Sequence, residues 1–355
     1  MKALVLSGGS GTRLRPFSHS MPKQLIPVAN KPVLEHVLAN IRDLGVTDVG
    51  VIVGDRAADV SRALGDGTRS GVRITYLRQE SPLGLAHCVR LAREFLGDDD
   101  FVMYLGDNML PAGIGQVAAE FTEHRPAAHV VVHKVADPSA FGVVELDSAG
   151  RVEHLVEKPR NPRSDLALIG VYFFTPAIHE AVAAIAPSSR GELEITDAVQ
   201  WLVDQGAPVR ATQYSGYWKD VGRVEDVLEC NRVLLEGVES RVSGEVDDAS
   251  VIKGPVVIEE GARVVRSLVE GPTIIGPRSV VEDSTVGPYT TLGAGCVVRG
   301  TRLDASIALD GAVITGVRRL SGSLVGREAR VALGAQGPAE HRLVVGDHCR
   351  IEVTG

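Results

Sequence analysis

Over roughly the first 240 residues, short apolar runs alternate with stretches whose apolar positions recur at helical spacing. The runs predict strands at Lys2–Leu6, Val49–Val53, Arg73–Leu77, Phe101–Leu105, His129–Lys134, Val152–Val156, Leu168–Phe174 and Val209–Tyr214. Between them the helical pattern predicts Pro32–Leu44, Ala57–Leu64, Leu85–Phe95, Ile114–His124, Pro176–Ile185 and Ile195–Gln205, with a closing helix near Val224–Val238. Alternation of this kind predicts an α/β domain built on a mostly parallel sheet.

After about Val242 the texture changes to Val, Ile, Gly and Pro without helical spacing. Leu268, Ile274, Val280, Val286, Leu292 and Val298 fall six residues apart, with Gly or Pro between several of them, as in IIGPRS, VGPYTT and LGAGCV. That period predicts a parallel β-helix in which each of the six points inward from a flat face of a coil. Ile252, Ile258 and Val264 share the period, with a slip before Leu268, and beyond Leu303 the pattern frays. The two textures divide the chain into expected domains 1–240 and 241–355.

Composition narrows the function more than the fold. A formal net charge of −8 argues against a general nucleic-acid or anionic-membrane surface. Cys88, Cys230, Cys296 and Cys349 form no C-x-x-C pair and no Cys/His cluster, which favours reduced thiols over disulfides or structural zinc. The N-terminal apolar run is too short for a signal peptide and no segment approaches a membrane span, so the expected location is cytoplasmic. Only 7 of the 37 basic residues are lysine, which gives a lysine inside a polar motif added weight.

The first candidate chemistry is GGSGTR at residues 8–13, directly after an apolar run. A dinucleotide fingerprint fails because Leu14 stands where its third glycine belongs, and a Walker loop fails for want of the following lysine. Backbone donors of a glycine-rich turn, with Arg13 and Lys23 nearby, can cradle a polyphosphate. A plain turn with solvated basic residues explains the same residues equally well. Asp107 in FVMYLGDN stands just past a strand's carboxyl end, where open α/β sheets bind ligands. Its carboxylate suits Mg²⁺, and equally suits a loop start. Glu157 and Lys158 in LVEKP read alone as an exposed pair before a proline turn, and Arg190 as a solvated arginine before a helix. No G-x-S-x-G elbow or H-E-x-x-H motif is present.

Taken together, SGGSGTRLRP and the following PKQLIPVANKP resemble the nucleotide-binding signature of sugar-1-phosphate nucleotidyltransferases. They are most similar to the long-form glucose-1-phosphate thymidylyltransferases, which carry a C-terminal left-handed β-helix. The likeness runs motif by motif over residues 1–240, and the hexapeptide array fits the tail. It implies a Rossmann-like catalytic domain with a mixed, mostly parallel sheet, followed by that β-helix.

The resemblance implies nucleotide contacts from Leu6, Gly8, Gly9, Gly11, Thr12, Arg13, Lys23, Gln79, Pro82, Gly84 and Asp107. It implies sugar-phosphate contacts from Leu105, Phe141, Gly142, Glu157, Lys158, Val171, Arg190 and Trp218. Arg13, Lys23 and Lys158 carry the catalytic charge, and Asp107 with Asp220 of YWKDVG holds Mg²⁺. QESPLGLAH matches the family's base-reading loop but departs from it at Glu80, where a proline is usual, and at His87, where a glutamine is usual. The implied reaction joins dTTP to α-D-glucose 1-phosphate, releasing pyrophosphate and giving dTDP-glucose for deoxysugar synthesis in surface glycans or natural products such as antibiotics. A homo-oligomer is expected, with no nucleic-acid or membrane partner. Three alternatives stay open: UTP or another nucleotide as donor, a non-catalytic regulatory subunit, and an added acyl transfer in the β-helix. The last is weakened by a short tail whose His341 and His348 lie beyond the regular array.

Overall fold

The computed structural model describes residues 1–9, 11–148, 150–334 and 343–354. Its contacts divide the chain into two compact units, one of residues 1–9 with 33–220 and the other of residues 10–32 with 221–355.

Among the described residues, thirteen strands and nine α-helices precede the β-helix. The strands are β1 (Lys2–Ser7), β2 (Pro27–Val28), β3 (Lys31–Pro32), β4 (Asp48–Val53), β5 (Arg73–Arg78), β6 (Phe101–Leu105), β7 (Asn108–Met109), β8 (Ala128–Lys134), β9 (Gly142–Leu146), β10 (Val152–Glu157), β11 (Leu166–Phe174), β12 (Val209–Gln213) and β13 (Lys219–Asp220). The helices are α1 (Phe17–Ser20), α2 (Val33–Asp43), α3 (Ala57–Leu64), α4 (Leu85–Leu91), α5 (Arg93–Leu96), α6 (Gly115–His124), α7 (Ile178–Ala184), α8 (Ile195–Asp204) and α9 (Val224–Leu235).

In the first unit, nine strands form one mixed sheet. The path runs β10-β9-β11-β6-β1-β4-β5, and β8 joins β11 to β12. Strands β6, β1, β4 and β5 run parallel, whereas β11 is antiparallel to β6, β8 and β9. Central strands such as β1 read as unbroken apolar runs because both of their faces are buried. The expected strands are present with ends moved by a residue or two; β7, β9 and β13 are additional. The helix expected over Leu85–Phe95 is two helices, broken at Ala92. Ala86, Val89, Ala92 and Leu96 are all buried, so both short helices face the same core across the break.

In the second unit, strands of three residues or so stack into three parallel sheets. Val257 pairs with Ile274, which pairs with Thr291; Val269 pairs with Val286, which pairs with Leu303. One coil is therefore 17 residues, consistent with the left-handed β-helix expected. A strict period of six does not divide 17, and this corrects the inward assignments. Val264, Val269, Ile275, Val281, Val286, Leu292, Val298 and Leu303 form the core, at spacings of five or six. Leu268, Ile274 and Val280 each stand one place before a core residue and face outward, since a one-residue slip in a strand reverses the side chain. Ile274 instead packs with Leu235 of α9. The array also continues past Leu303, through Ala308, Ile314, Leu320, Val325 and Val331. It frays in sequence because an alanine takes one core position and because the coil shortens to 16 residues between Thr291 and Ile307. His348 pairs with Glu328 at 3.1 Å, and His341 lies outside the described residues.

Within this unit the segment 10–32 is tied to the β-helix through α9. Asn231, almost fully buried, accepts the Ala29 N–H at 2.9 Å and the Thr291 hydroxyl at 3.3 Å, and donates to the Tyr289 carbonyl at 3.3 Å. Ala29 and Asn30 form the turn between β2 and β3 with φ of 50° and 60°, a double left-handed turn that non-glycine residues seldom adopt. Asn30 secures it by donating to the Leu292 carbonyl at 2.7 Å.

One buried polar group in the first unit makes stability depend on pH. His129 Nε2 donates to Thr212 Oγ1 at 2.7 Å, and the Thr212 hydroxyl donates on to Glu120; Nδ1 has no partner among the described residues. Burial drives the imidazole pKa down to about 4, against the pull of Glu120. Between pH 6.5 and about 4 the unfolded chain binds a proton that the folded chain refuses, so stability falls as pH falls through that window, by on the order of 3 kcal/mol. Thermal unfolding of His129→Gln should lose this part of the acid dependence and keep the rest.

Candidate active site

The carboxyl ends of β1, β4, β5 and β6 open onto a cavity of about 270 Å³, the edge at which open α/β sheets bind ligands. Eight expected residues line it: Leu6, Gly8, Gly9, Gln79, Pro82, Gly84, Leu105 and Asp107, joined by Ile52, Leu85, Cys88 and Glu192. Gly84 explains how its loop closes. Its φ is 104°, and a Cβ there would stand 2.3 Å from the Leu193 carbonyl oxygen. That close approach lets Leu193 donate to Leu83 O at 2.8 Å and accept from Ala86 N at 3.0 Å, stitching loop 82–86 to the start of α8. The Gln79 amide nitrogen stands 2.9 Å from His87 Nδ1 and 3.4 Å from Gly84 O. Cys88 is no nucleophile, because burial pushes its thiol up to about 12.

Asp107 and Asp220 are 113 residues apart in the chain, and a two-residue pairing brings them together. β7 and β13 run antiparallel with Asp220 opposite Asn108, the neighbour of Asp107. Asn108 is buried and orients the pair: it donates to Asp107 Oδ1 at 2.9 Å and accepts the Trp218 indole N–H at 2.7 Å. Gly170, with φ of 74°, makes room, since a Cβ there would meet Leu105 at 2.9 Å and Asn108 Nδ2 at 3.0 Å. Nothing in the sequence marks Asn108 as more than a turn residue, because its partner Trp218 is remote. Among the described residues no three His, Cys, Asp or Glu are grouped to enclose a metal. Asp107 at the edge of the cavity, with Asp220 paired opposite its neighbour, fits Mg²⁺, which takes few protein oxygens and completes its shell with water and substrate phosphate.

The expected sugar side gathers behind Trp218. Phe141 meets its indole edge-on at 5.5 Å, and Gly142 pairs across β9–β10 with Glu157. A Cβ on Gly142 would stand 2.7 Å from Thr196 and 3.2 Å from Glu157 Oε2. Glu157 Oε1 holds Lys158 Nζ at 3.0 Å and Arg190 Nη1 at 3.2 Å, and Arg190 also reaches Glu192 at 3.0 Å and Glu194 at 3.4 Å. Glu194 is buried, and burial, then the Glu157 charge, holds its carboxyl above the usual range. Lys158 adopts φ of 42°, with its N–H on Phe141 O at 3.0 Å, a backbone strain of the kind that clusters at functional sites. Val171 is fully buried beside Tyr104 on β6, so any sugar contact there would have to come from its main chain.

Gly11, Thr12, Arg13 and Lys23 fall in the other compact unit. Gly11 has φ of 59°, and a Cβ there would crowd Ser18 at 3.1 Å and Lys23 at 3.3 Å. Thr12–Leu14 and Lys23–Leu25 are single turns of 3₁₀ helix, anchored by buried Leu14 and Gln24. The Arg13 guanidinium lies against Gly222, where a Cβ would stand 3.1 Å from Nη2.

Residues 2–237 match the family described as Nucleotidyl transferase, and the chain belongs to that family. Over 354 residues it is 55% identical to the glucose-1-phosphate thymidylyltransferase of Streptomyces antibioticus, an alignment covering 99% of each chain. The enzyme of the same name from Streptomyces griseus is 54% identical over 354 residues, covering 100% of each. A UDP-glucose pyrophosphorylase solved with UDP-glucose matches with a TM-score of 0.59 and 25% identity, over 66% of this chain and 98% of that one.

Two substitutions test the local geometry. Asn108→Ala should lower stability by about 1–3 kcal/mol, through the stranded Trp218 N–H, and should lower nucleotidyl transfer as Asp107 loses its fixed orientation. Chemical denaturation and pyrophosphate release read the two effects separately. Gly84→Ala should weaken nucleotide binding far more than an ordinary glycine-to-alanine change, because both its backbone angle and Leu193 oppose the methyl group; calorimetry measures it.

Proposed function

We propose that this chain joins dTTP to α-D-glucose 1-phosphate, giving dTDP-glucose and pyrophosphate. The observation that carries the reading is Asp107 brought to Asp220 by β7 and β13, beside a cavity edged by Gly8, Gly9 and Gly84. The 55% identity to a glucose-1-phosphate thymidylyltransferase over nearly the whole chain supports the choice of substrates.

A phosphate oxygen of the sugar phosphate forms a bond to the α-phosphorus of dTTP, and the bond from that phosphorus to the β-phosphate oxygen breaks, releasing pyrophosphate. The nucleophile is already an anion, so the protein needs no base or nucleophile of its own, and its work is positioning and charge neutralisation. Asp107 and Asp220 would hold Mg²⁺, which when bound neutralises charge on the triphosphate. Arg13 and Lys23 balance the remaining phosphate charge. Lys158 and Arg190, both paired with Glu157 in this structure, turn toward the phosphate of the sugar phosphate, while Glu157 accepts from sugar hydroxyls. Gly142 and the face of Trp218 shape the sugar pocket. We assign catalysis to residues 1–240, which the family match at 2–237 supports, and subunit assembly as a homo-oligomer to the β-helix at 241–355. No described helix is long and apolar enough to cross a membrane, and we place the enzyme in the cytoplasm.

UTP is the second reading, favoured by the likeness to a UDP-glucose pyrophosphorylase. A pocket gains only about 1–3 kcal/mol from one methyl group, so UTP should be used at a rate within about 10–200-fold of dTTP. A matrix of nucleoside triphosphates against sugar 1-phosphates, read by pyrophosphate release, should peak at dTTP with glucose 1-phosphate. Asp107→Asn should lose on the order of 10²-fold in turnover with its folding intact. A matrix without activity, or a fully active Asp107→Asn, overturns the proposal.

A further inference from the structure

We propose that His87 is a positioning residue that selects the base by fixing which end of the Gln79 amide faces the cavity. The inference rests on the cavity being the nucleotide site and deepens that reading at one residue pair.

The geometry assigns the amide. Gln79 stands just past the end of β5, and its nitrogen is engaged within the protein, with His87 Nδ1 at 2.9 Å and the Gly84 carbonyl at 3.4 Å. Its carbonyl oxygen is therefore the end left toward the glycine edge, where a Cβ on Gly8 would lie 3.9 Å away. Gly84 O can only accept, so it takes one amide hydrogen, and His87 Nδ1 takes the other when it carries no proton. A carbonyl oxygen presented to the cavity accepts from the N3–H of thymine or uracil. It opposes the N3 lone pair of cytosine, so the same contact admits one pyrimidine class and rejects the other.

The orientation holds only while Nδ1 is an acceptor. A protonated imidazole donates from both nitrogens. An imidazolium facing an amide nitrogen is donor against donor, so Gln79 must rotate, give its oxygen to His87 and show its NH₂ group to the base. Thymine then meets a donor at N3–H and binds weakly. Burial holds the His87 pKa below the ordinary value, assisted by the charge of Arg90 on the same helix, so the accepting form prevails at neutral pH. Other titratable groups surround the site. Asp107, Glu192 and Cys88 line the same cavity, and Arg78 pairs with Glu80 at 3.4 Å beside Gln79. The helices packed on α4 carry Arg93 and Glu94 on α5, His179 and Glu180 on α7, and Asp197 and Asp204 on α8. A glutamine at position 87 can offer its own carbonyl to Gln79 at every pH, which makes His87→Gln the variant that isolates His87 from these neighbours.

The probe is dTDP-glucose, whose phosphates stay fully ionised and whose thymine N3–H stays in place between pH 5 and 8. Calorimetric titration should show wild-type affinity falling by clearly more than twofold from pH 7.5 to pH 5, as protonation turns one hydrogen bond into a donor–donor contact. His87→Gln should bind at pH 7.5 as wild type does and stay within about twofold at pH 5. A flat wild-type profile, or the full acid loss retained in a folded His87→Gln, overturns the proposal. Gln79→Ala separates the two levels. If it weakens dTDP-glucose at pH 7.5 while His87→Gln still shows the wild-type pH dependence, the base site stands and the role of His87 falls. If Gln79→Ala binds dTDP-glucose normally, the nucleotide reading of the cavity falls with it.

Discussion

The site depends on one short backbone constraint, the antiparallel pairing of Lys219 with Met109 and of Asp220 with Asn108. Two ladder pairs are too few to be stable alone, and the part-buried Trp218–Asn108–Asp107 chain secures them. Through that chain, one oxygen of Asp107 is fixed from inside the protein, and β13 sets Asp220 opposite Asn108. Gly170 belongs to the same constraint, because any side chain there would displace Asn108.

Around this centre the charges are held in reserve rather than spread. Glu157 collects both Lys158 and Arg190, with Glu192 and Glu194 adding further acceptors to the arginine. A sugar phosphate entering there would compete for cations that already have partners, which favours a dianionic ligand over a neutral one. The cavity on the other side of Asp107 is different in kind, formed largely by backbone at Gly8, Gly9 and Gly84 and by apolar side chains. Its polar selectivity therefore rests on few groups, with Gln79 foremost.

The motifs were legible as chemistry, and their company was not. GGSGTR, LGDN, LVEKP and YWKDVG stand out by residue type, yet each has a plain structural reading when met alone. Asn108 and Thr196 escaped notice because their significance lies in what folding brings to them: Trp218 in the first case, Glu157 and Gly142 in the second. In the β-helix the repeat was evident, but its inward register was misread at Leu268, Ile274 and Val280. A coil of 17 residues places one five-residue step among steps of six, and a run of valines and isoleucines hides where the short step falls. Asn231 was equally silent in sequence, although it joins the turn at Ala29 to the coil at Tyr289 and Thr291.

What the sequence determined by itself is local: strand and helix periods, a glycine-rich turn after the first strand, a repeating coil, and the kinds of side chain available for phosphate and metal. Those follow from backbone geometry and residue chemistry over a few positions. Tertiary structure decided the rest. It chose which carboxylates meet, which face of each coil is core, how the Gln79 amide is turned, and that residues 10–32 pack in one unit with residues 221–355 rather than with the sheet they follow. These are matters of distance between residues far apart in the chain, and only the folded packing sets such distances.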